Sequence, residues 1–148
     1  MDFRATPERL WPEPPDLDAL NSLHVGTLGA ATGMRFTDVG PDFLRLSMPV
    51  DERTRQPVGL LHGGASAALI ETVGSVASNL IAASLGKGAV GTELNCSHLR
   101  SAREGHVHGV CRAVRIGRTT HVWDVRVEDD RGRAVCVGRL TVMVVGGG

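Results

Sequence analysis

The chain has 148 residues, 16 Lys and Arg against 16 Asp and Glu, 42% apolar residues and 3% aromatics. That is one domain large enough for its own core, and too short for most two-domain cofactor enzymes. Zero formal charge and five aromatics without a tyrosine provide neither the basic excess nor the stacking platform of a nucleic-acid binder.

The N-terminal MDFRATPERLWPEPP carries charges and prolines but no apolar h-region, so no signal peptide is visible. Residues 1–15 are expected to form a loose arm and 16–148 a single domain. Behind a candidate cap at Asp16, Leu17, Leu20 and Val25 or Leu28 recur at near-helical spacing and predict one or two turns of helix. MRFTDVG and FLRLSMPV alternate on either side of Gly40-Pro41-Asp42, the pattern of a hairpin. A polar loop, DERTRQPVGLLHGG, closes on a glycine pair. From Gly64 to about Leu85 the period becomes helical, with Leu69, Val73, Val76 and Leu80 on one stripe and Gly86-Lys87-Gly88 as its stop. Glu71 and several Ser and Gly make this an amphipathic helix of a folded domain rather than a membrane span. From Ala89 the period falls to two and predicts four strands, 89–100, 106–116, 119–129 and 134–145. A hairpin, one long helix and a run of antiparallel strands predict an α+β fold whose sheet wraps the helix.

Three patterns carry less than their letters suggest. GKGAVG at 86–91 matches the dinucleotide fingerprint but follows a helix and precedes a strand, the reverse of the order that aims a helix N-terminus at pyrophosphate. Gly64-Ala65-Ser66 lacks the strand and second glycine of a nucleophile elbow, so Ser66 reads as a first-turn helix residue. His106 and His108 share a strand face without further ligands at familiar spacing, so no metal is expected. Cys96, Cys111 and Cys136, an odd number with no C-x-x-C, read as reduced, partly buried thiols in a cytoplasmic protein.

The informative segment runs from Gln56 to Glu71. His62-Gly63-Gly64 stands where the long helix begins, so the amide of Gly63 or Gly64 can point unpaired at a carbonyl oxygen becoming an anion. On a helical wheel Glu71 lies far from Leu69, among Ala67, Gly74, Ser75 and Ser78. One carboxylate among small residues fits close approach by a second subunit or a ligand better than a solvated face, which normally carries several charges. His98-Leu99-Arg100-Ser101 and Arg115-Ile116-Gly117-Arg118-Thr119-Thr120 set arginines, hydroxyls and free amides at strand ends, as a phosphate cradle or a solubilising turn. Residues 98–120 hold five Arg and one Glu, a local +4 that the neutral total conceals.

The His62-Gly63-Gly64 helix start, with Gln56 before it and Glu71 after it, resembles the hotdog-fold acyl-CoA thioesterases of the 4-hydroxybenzoyl-CoA type that carry a Glu on the central helix. Within that group, MPVDERTRQPVGLLHGGAS, VGTELNCSHLRSAREG and RIGRTTHVW are similar to bacterial 1,4-dihydroxy-2-naphthoyl-CoA hydrolases. The resemblance implies an antiparallel sheet curled round the helix, a homodimer with active sites at its interface, and commonly a homotetramer. It makes Glu71 the nucleophile or general base and Gly63 the oxyanion donor. Gln56 and His62 would position thioester and carboxylate, and Ser75 would line the acyl pocket or hold the hydrolytic water. Coenzyme A contacts carry over to Gly91, His98, Leu99, Arg100 and Ser101, and to Arg115, Ile116, Gly117, Arg118, Thr119 and Thr120. Thr92 and Cys96 depart from the residues expected nearby. Coenzyme A is part of the substrate, and the chemistry needs no metal or redox cofactor.

An aromatic acyl group would be held by small and aliphatic residues such as Ala67, Leu69 and Val73. Two other functions share the scaffold: a proofreading thioesterase acting on an acyl-loaded carrier protein, and a non-catalytic acyl-CoA-binding module.

Overall fold

The computed structural model describes residues 7–146. Two short helices, α1 (Leu17–Ser22) and α2 (Leu28–Ala31), lead into the hairpin β1 (Arg35–Val39) and β2 (Phe43–Pro49). The long helix α3 (Gly63–Ala83) follows, then β3 (Gly88–His98), β4 (His106–Ile116), β5 (Thr120–Asp129) and β6 (Ala134–Val145). All six strands form one antiparallel sheet in the order β1-β2-β4-β5-β6-β3. Helix α3 packs across β2 to β6, so the sheet wraps the helix as the change of period along the chain predicts, in the hotdog arrangement that the resemblance implies.

Local chemistry sets the element ends. The Asp16 carboxylate accepts the amides of Asp18 and Ala19 at 2.8 and 3.2 Å and starts α1. That helix is shorter than the spacing suggests: Leu20 is buried, whereas Val25 and Leu28 are exposed. At the far end of α3 the Lys87 amide closes on the Ala82 carbonyl at 3.0 Å, and Gly86 turns the chain with φ +67.

The buried face of α3 differs from the predicted stripe. It comprises Ser66, Leu69, Ile70, Val73, Gly74, Ala77, Ser78 and Ala82, while Val76 and Leu80 are half-buried. Gly74 and Ser78 therefore face the sheet, not a second subunit. A β-carbon at Gly74 would sit 2.6 Å from Leu140 Cδ2, and Ser78 Oγ accepts the Trp123 indole N–H at 2.7 Å with His121 Nδ1 at 3.1 Å. Small residues here let helix and sheet approach closely and supply a hydroxyl to two buried polar rings. Leu69 and Val73 are fully buried in the same core and do not line a pocket.

The described part of the arm is pinned rather than loose at one point. Trp11 is buried, its indole N–H donates to the Gly40 carbonyl at 3.1 Å, and the Leu10 amide donates to Pro41 at 2.8 Å. Residues 1–6 of that arm lie outside the described residues. By length and composition α3 could cross a membrane, but here it is the helix the sheet packs against. The sheet ends on β1, of 5 residues, and on β3, of 11, whose outer edge has no strand beside it among the described residues.

Candidate active site

His62 is the N-cap of α3, in extended backbone. Its Nδ1 accepts the Gly64 amide at 2.7 Å, which leaves Nε2 to carry the proton of the neutral ring. Its carbonyl takes the amides of Ala65 and Ser66 at 2.9 and 3.3 Å. The Gly63 amide has no partner among the described residues. Of the two amides open on sequence grounds, Gly63 is the free one, at the positive end of a 21-residue helix.

Gln56 lies in the loop feeding this helix start. Its backbone closes on Leu60 and Gly59 at 2.8 and 2.9 Å, and its side-chain oxygen accepts the Val58 amide at 2.5 Å. The Arg55–Leu61 bridge and the His62 amide on the Thr54 carbonyl, at 2.8 Å, hold the neck of the loop. The side-chain NH2 of Gln56 thus remains to donate.

Glu71, half-buried two turns along α3, sets its carboxylate against Gly91 of β3, where a β-carbon would collide with Oε1. Two features hold this juxtaposition. The β3–β6 ladder shifts between Gly91 and Glu93, leaving Thr92 as the extra residue of a bulge, so Gly91 faces the helix together with Leu94, Cys96 and His98. Asn79, two turns beyond Glu71, clasps Ala89 by both backbone groups, each at 2.9 Å. Sequence reasoning missed Asn79, because an exposed amide on a helix carries no motif. Ser75 lies one turn past Glu71, half-buried on the same side.

His98 packs against the helix start: a β-carbon at Gly63 would be 2.8 Å from His98 Nε2. The amides of Leu99 and Arg100 are not free, since both donate to the Val135 carbonyl, at 2.8 and 3.3 Å. Among the described residues the amides of Ser101, Arg118 and Thr119 have no partner; Arg100, Arg115 and Arg118 are exposed, and none is ion-paired with a described residue. Gly117 closes the β4–β5 turn through its amide on Thr120, at 2.9 Å.

These residues form two separate groups. Gly63 and Glu71 are eight residues apart in one helix, about 12 Å along its axis. In the sheet Gly91 is level with Val142, His121 and Ile116, whereas His98 is level with Cys136, Val127 and Gly109. Gln56, His62, Gly63 and 98–101 therefore gather at one end, and Glu71, Ser75, Gly91 and 115–120 toward the other. A concavity of about 630 Å³ lies on the opposite face of the sheet, bordered by Ser97, Arg112, Arg126 and Arg139, away from both groups.

His108, set aside as a metal ligand on sequence grounds, joins a polar chain instead: Nδ1 meets Ser47 Oγ at 2.6 Å and Nε2 meets Asp130 at 2.7 Å. The His108 contact, first, and the His106 amide hold the Asp130 carboxyl below its ordinary value. The three cysteines are free thiols, Cys111 and Cys136 buried and Cys96 half-buried.

Residues 58–136 match the family model described as the thioesterase superfamily. A proofreading thioesterase EntH of Cronobacter turicensis is 46% identical over 137 residues, covering 93% of this chain and 99% of that one. The 1,4-dihydroxy-2-naphthoyl-CoA hydrolase of Escherichia coli is 44% identical over 136 residues, with 92% and 99% covered. Among solved structures, a glutamine-to-alanine mutant of the thioesterase SAV0944 from Staphylococcus aureus superposes with a TM-score of 0.77 at 33% identity, covering 80% of this chain and 98% of that one. A glutamate-to-alanine mutant of the same protein gives 0.72 at 35% identity, with the same coverage. With its sheet wrapped on one helix and these relatives over nearly its whole length, the chain belongs to the thioesterase superfamily and is a thioester hydrolase of the hotdog fold.

Proposed function

We propose that the protein is a cytoplasmic acyl-CoA thioesterase that releases an aromatic carboxylic acid and coenzyme A, and that each active site is shared between two copies of the chain. The observation that carries this reading is the separation of the free Gly63 amide from the Glu71 carboxylate. An oxyanion donor must lie about 3 Å from the carbonyl oxygen under attack, so two groups about 12 Å apart on one rigid helix do not serve one thioester. The long edge of β3 offers the remedy. Antiparallel pairing of β3 with its copy about a two-fold axis near Leu94 and Asn95 brings Gly91 level with His98 of the second copy. Glu71 then faces the second copy's Gly63, and the Arg115–Thr120 turn approaches its Arg100. Pairing two such dimers would give the tetramer implied by the resemblance.

In that arrangement the Gly63 N–H donates to the thioester oxygen, and the Gln56 amide lies on the same side. Glu71 either attacks the carbonyl carbon, forming a mixed anhydride that water opens, or takes a proton from the attacking water. Either route expels coenzyme A thiolate, which takes up a proton. Ser75, one turn from Glu71, would steady the water or the acyl group. The spacing of the S. aureus alanine mutants supports the pairing of roles: their glutamine and glutamate stand fifteen positions apart, as Gln56 and Glu71 do. Arg100, Arg115 and Arg118, which have no ion-pair partner among the described residues, favour coenzyme A, with its several phosphates, over the single phosphodiester of a carrier-protein arm.

A panel of naphthoyl, benzoyl, phenylacetyl and fatty acyl-CoAs, with the same groups on a carrier protein, tests the proposal by thiol release. Fastest turnover is expected on an aromatic CoA ester, reduced by about 10²–10⁴-fold in Glu71→Gln. Faster turnover on the carrier-bound group would favour a proofreading role. Tight CoA-ester binding without turnover would favour a binding module.

A further inference from the structure

We propose that Cys96, His98 and Cys136 form a binding site for a thiophilic divalent cation of the Zn²⁺ class, and that a cation held there shuts the oxyanion corner. The three ligand atoms lie within 4.8 Å of one another, with Cys96 Sγ 3.9 Å from His98 Nε2. They come from neighbouring strands: His98 stands opposite Cys136 and Cys96 opposite Gly138, so all three side chains leave the sheet on the face toward α3. Tetrahedral bonds of about 2.3 Å to sulfur and about 2.0 Å to nitrogen set such atoms roughly 3.6–3.8 Å apart. Modest side-chain rotation closes that difference. Two thiols and an imidazole suit Zn²⁺ and exclude the oxygen-seeking Mg²⁺ and Ca²⁺.

Burial, and then Cys96 beside it, pushes the Cys136 thiol up to about 12. A cation would displace both thiol protons to solvent. A disulfide fits the pair less well, because diagonal cross-strand neighbours are spaced by roughly 7–8 Å, beyond the reach of an S–S bridge. Three protein ligands leave a fourth position open. Since the His98 ring rests against Gly63, that position adjoins the free amide, where cation and thioester carbonyl compete. The inhibition rests on the thioesterase reading; the binding does not.

The test titrates Co²⁺ into the reduced, metal-free full chain without oxygen, then measures thiol release with and without Zn²⁺. A thiolate charge-transfer band saturating at about one cation per chain is expected, displaced by Zn²⁺. Zn²⁺ should inhibit the wild type reversibly on chelation. Cys96→Ala should turn over like the wild type, bind at least about tenfold more weakly and escape inhibition; Cys96→Ser serves if that variant does not fold. No band, or a band and inhibition unchanged in both variants, overturns the proposal. A band in a chain with no thioesterase activity would keep the site and remove the thioesterase reading instead.

Discussion

The Glu71 carboxylate rests in the space above Gly91 that any side chain there would occupy. Gly91 has no positive φ, so its value is the room it leaves. Gly91→Ala should therefore fold normally yet displace the carboxylate. Because misplacement of a reacting group by about 1 Å costs on the order of a hundredfold, kcat should fall by about that much with the melting temperature little changed. Steady-state kinetics beside a thermal melt checks both. Wild-type kcat in this variant would remove the carboxylate from the chemistry.

The free amide at the helix start can be deleted without deleting the helix. Proline is tolerated at the first helical position, and His62, at φ −68 and ψ 131, already has the conformation a pre-proline residue takes. Gly63→Pro removes the donor, and its ring must be met by a small rotation of His98. A loss of about 10²–10³ in kcat is expected with far-UV circular dichroism unchanged.

Ser78 offers a stability test independent of activity. Ser78→Ala leaves the Trp123 indole N–H and the His121 ring buried without their partner. That should cost about 1–3 kcal/mol in urea unfolding. If Ser78 instead faced a second subunit, the loss would vary with protein concentration.

The β5–β6 turn should respond to acid. Asp129 accepts the Arg131 and Arg133 amides at 3.0 Å each and the Arg133 guanidinium at 2.8 Å, and its carboxyl is held down at about 2, chiefly by Arg133. A depressed carboxylate stabilises the fold above its unfolded value of 3.8, and that contribution is lost as pH falls toward 2. Melting temperatures measured across this window should decline less steeply in Asp129→Asn than in the wild type.

The strands were legible because β4 and β5 bury alternate residues over most of their length and β2 and β6 over part of it, and a period of two survives any tertiary detail. The ends of α3 were legible from its glycines. Its orientation was not. A hydropathy reading counts Gly74 and Ser78 as polar, whereas the close helix–sheet approach buries them and leaves Val76 and Leu80 half outside. The half-site at the helix start could be read because it is contiguous, from Gln56 to Gly64. The meeting of Glu71 with Gly91 depends on a bulge at Thr92 and a clasp by Asn79. The cluster of Cys96 with Cys136 joins residues forty positions apart, and register alone brings them together.

The most direct measurement mixes two inactive chains. Glu71→Ala and Gly63→Pro each lack one half of the site, and a two-fold dimer carrying one of each has one intact site, with Gly63 from the first chain and Glu71 from the second. Coexpression or refolding of equal amounts should recover about a quarter of wild-type turnover, since half the dimers are mixed and each has one working site of two. Turnover no higher than that of the two variants measured separately would contradict a site shared between copies.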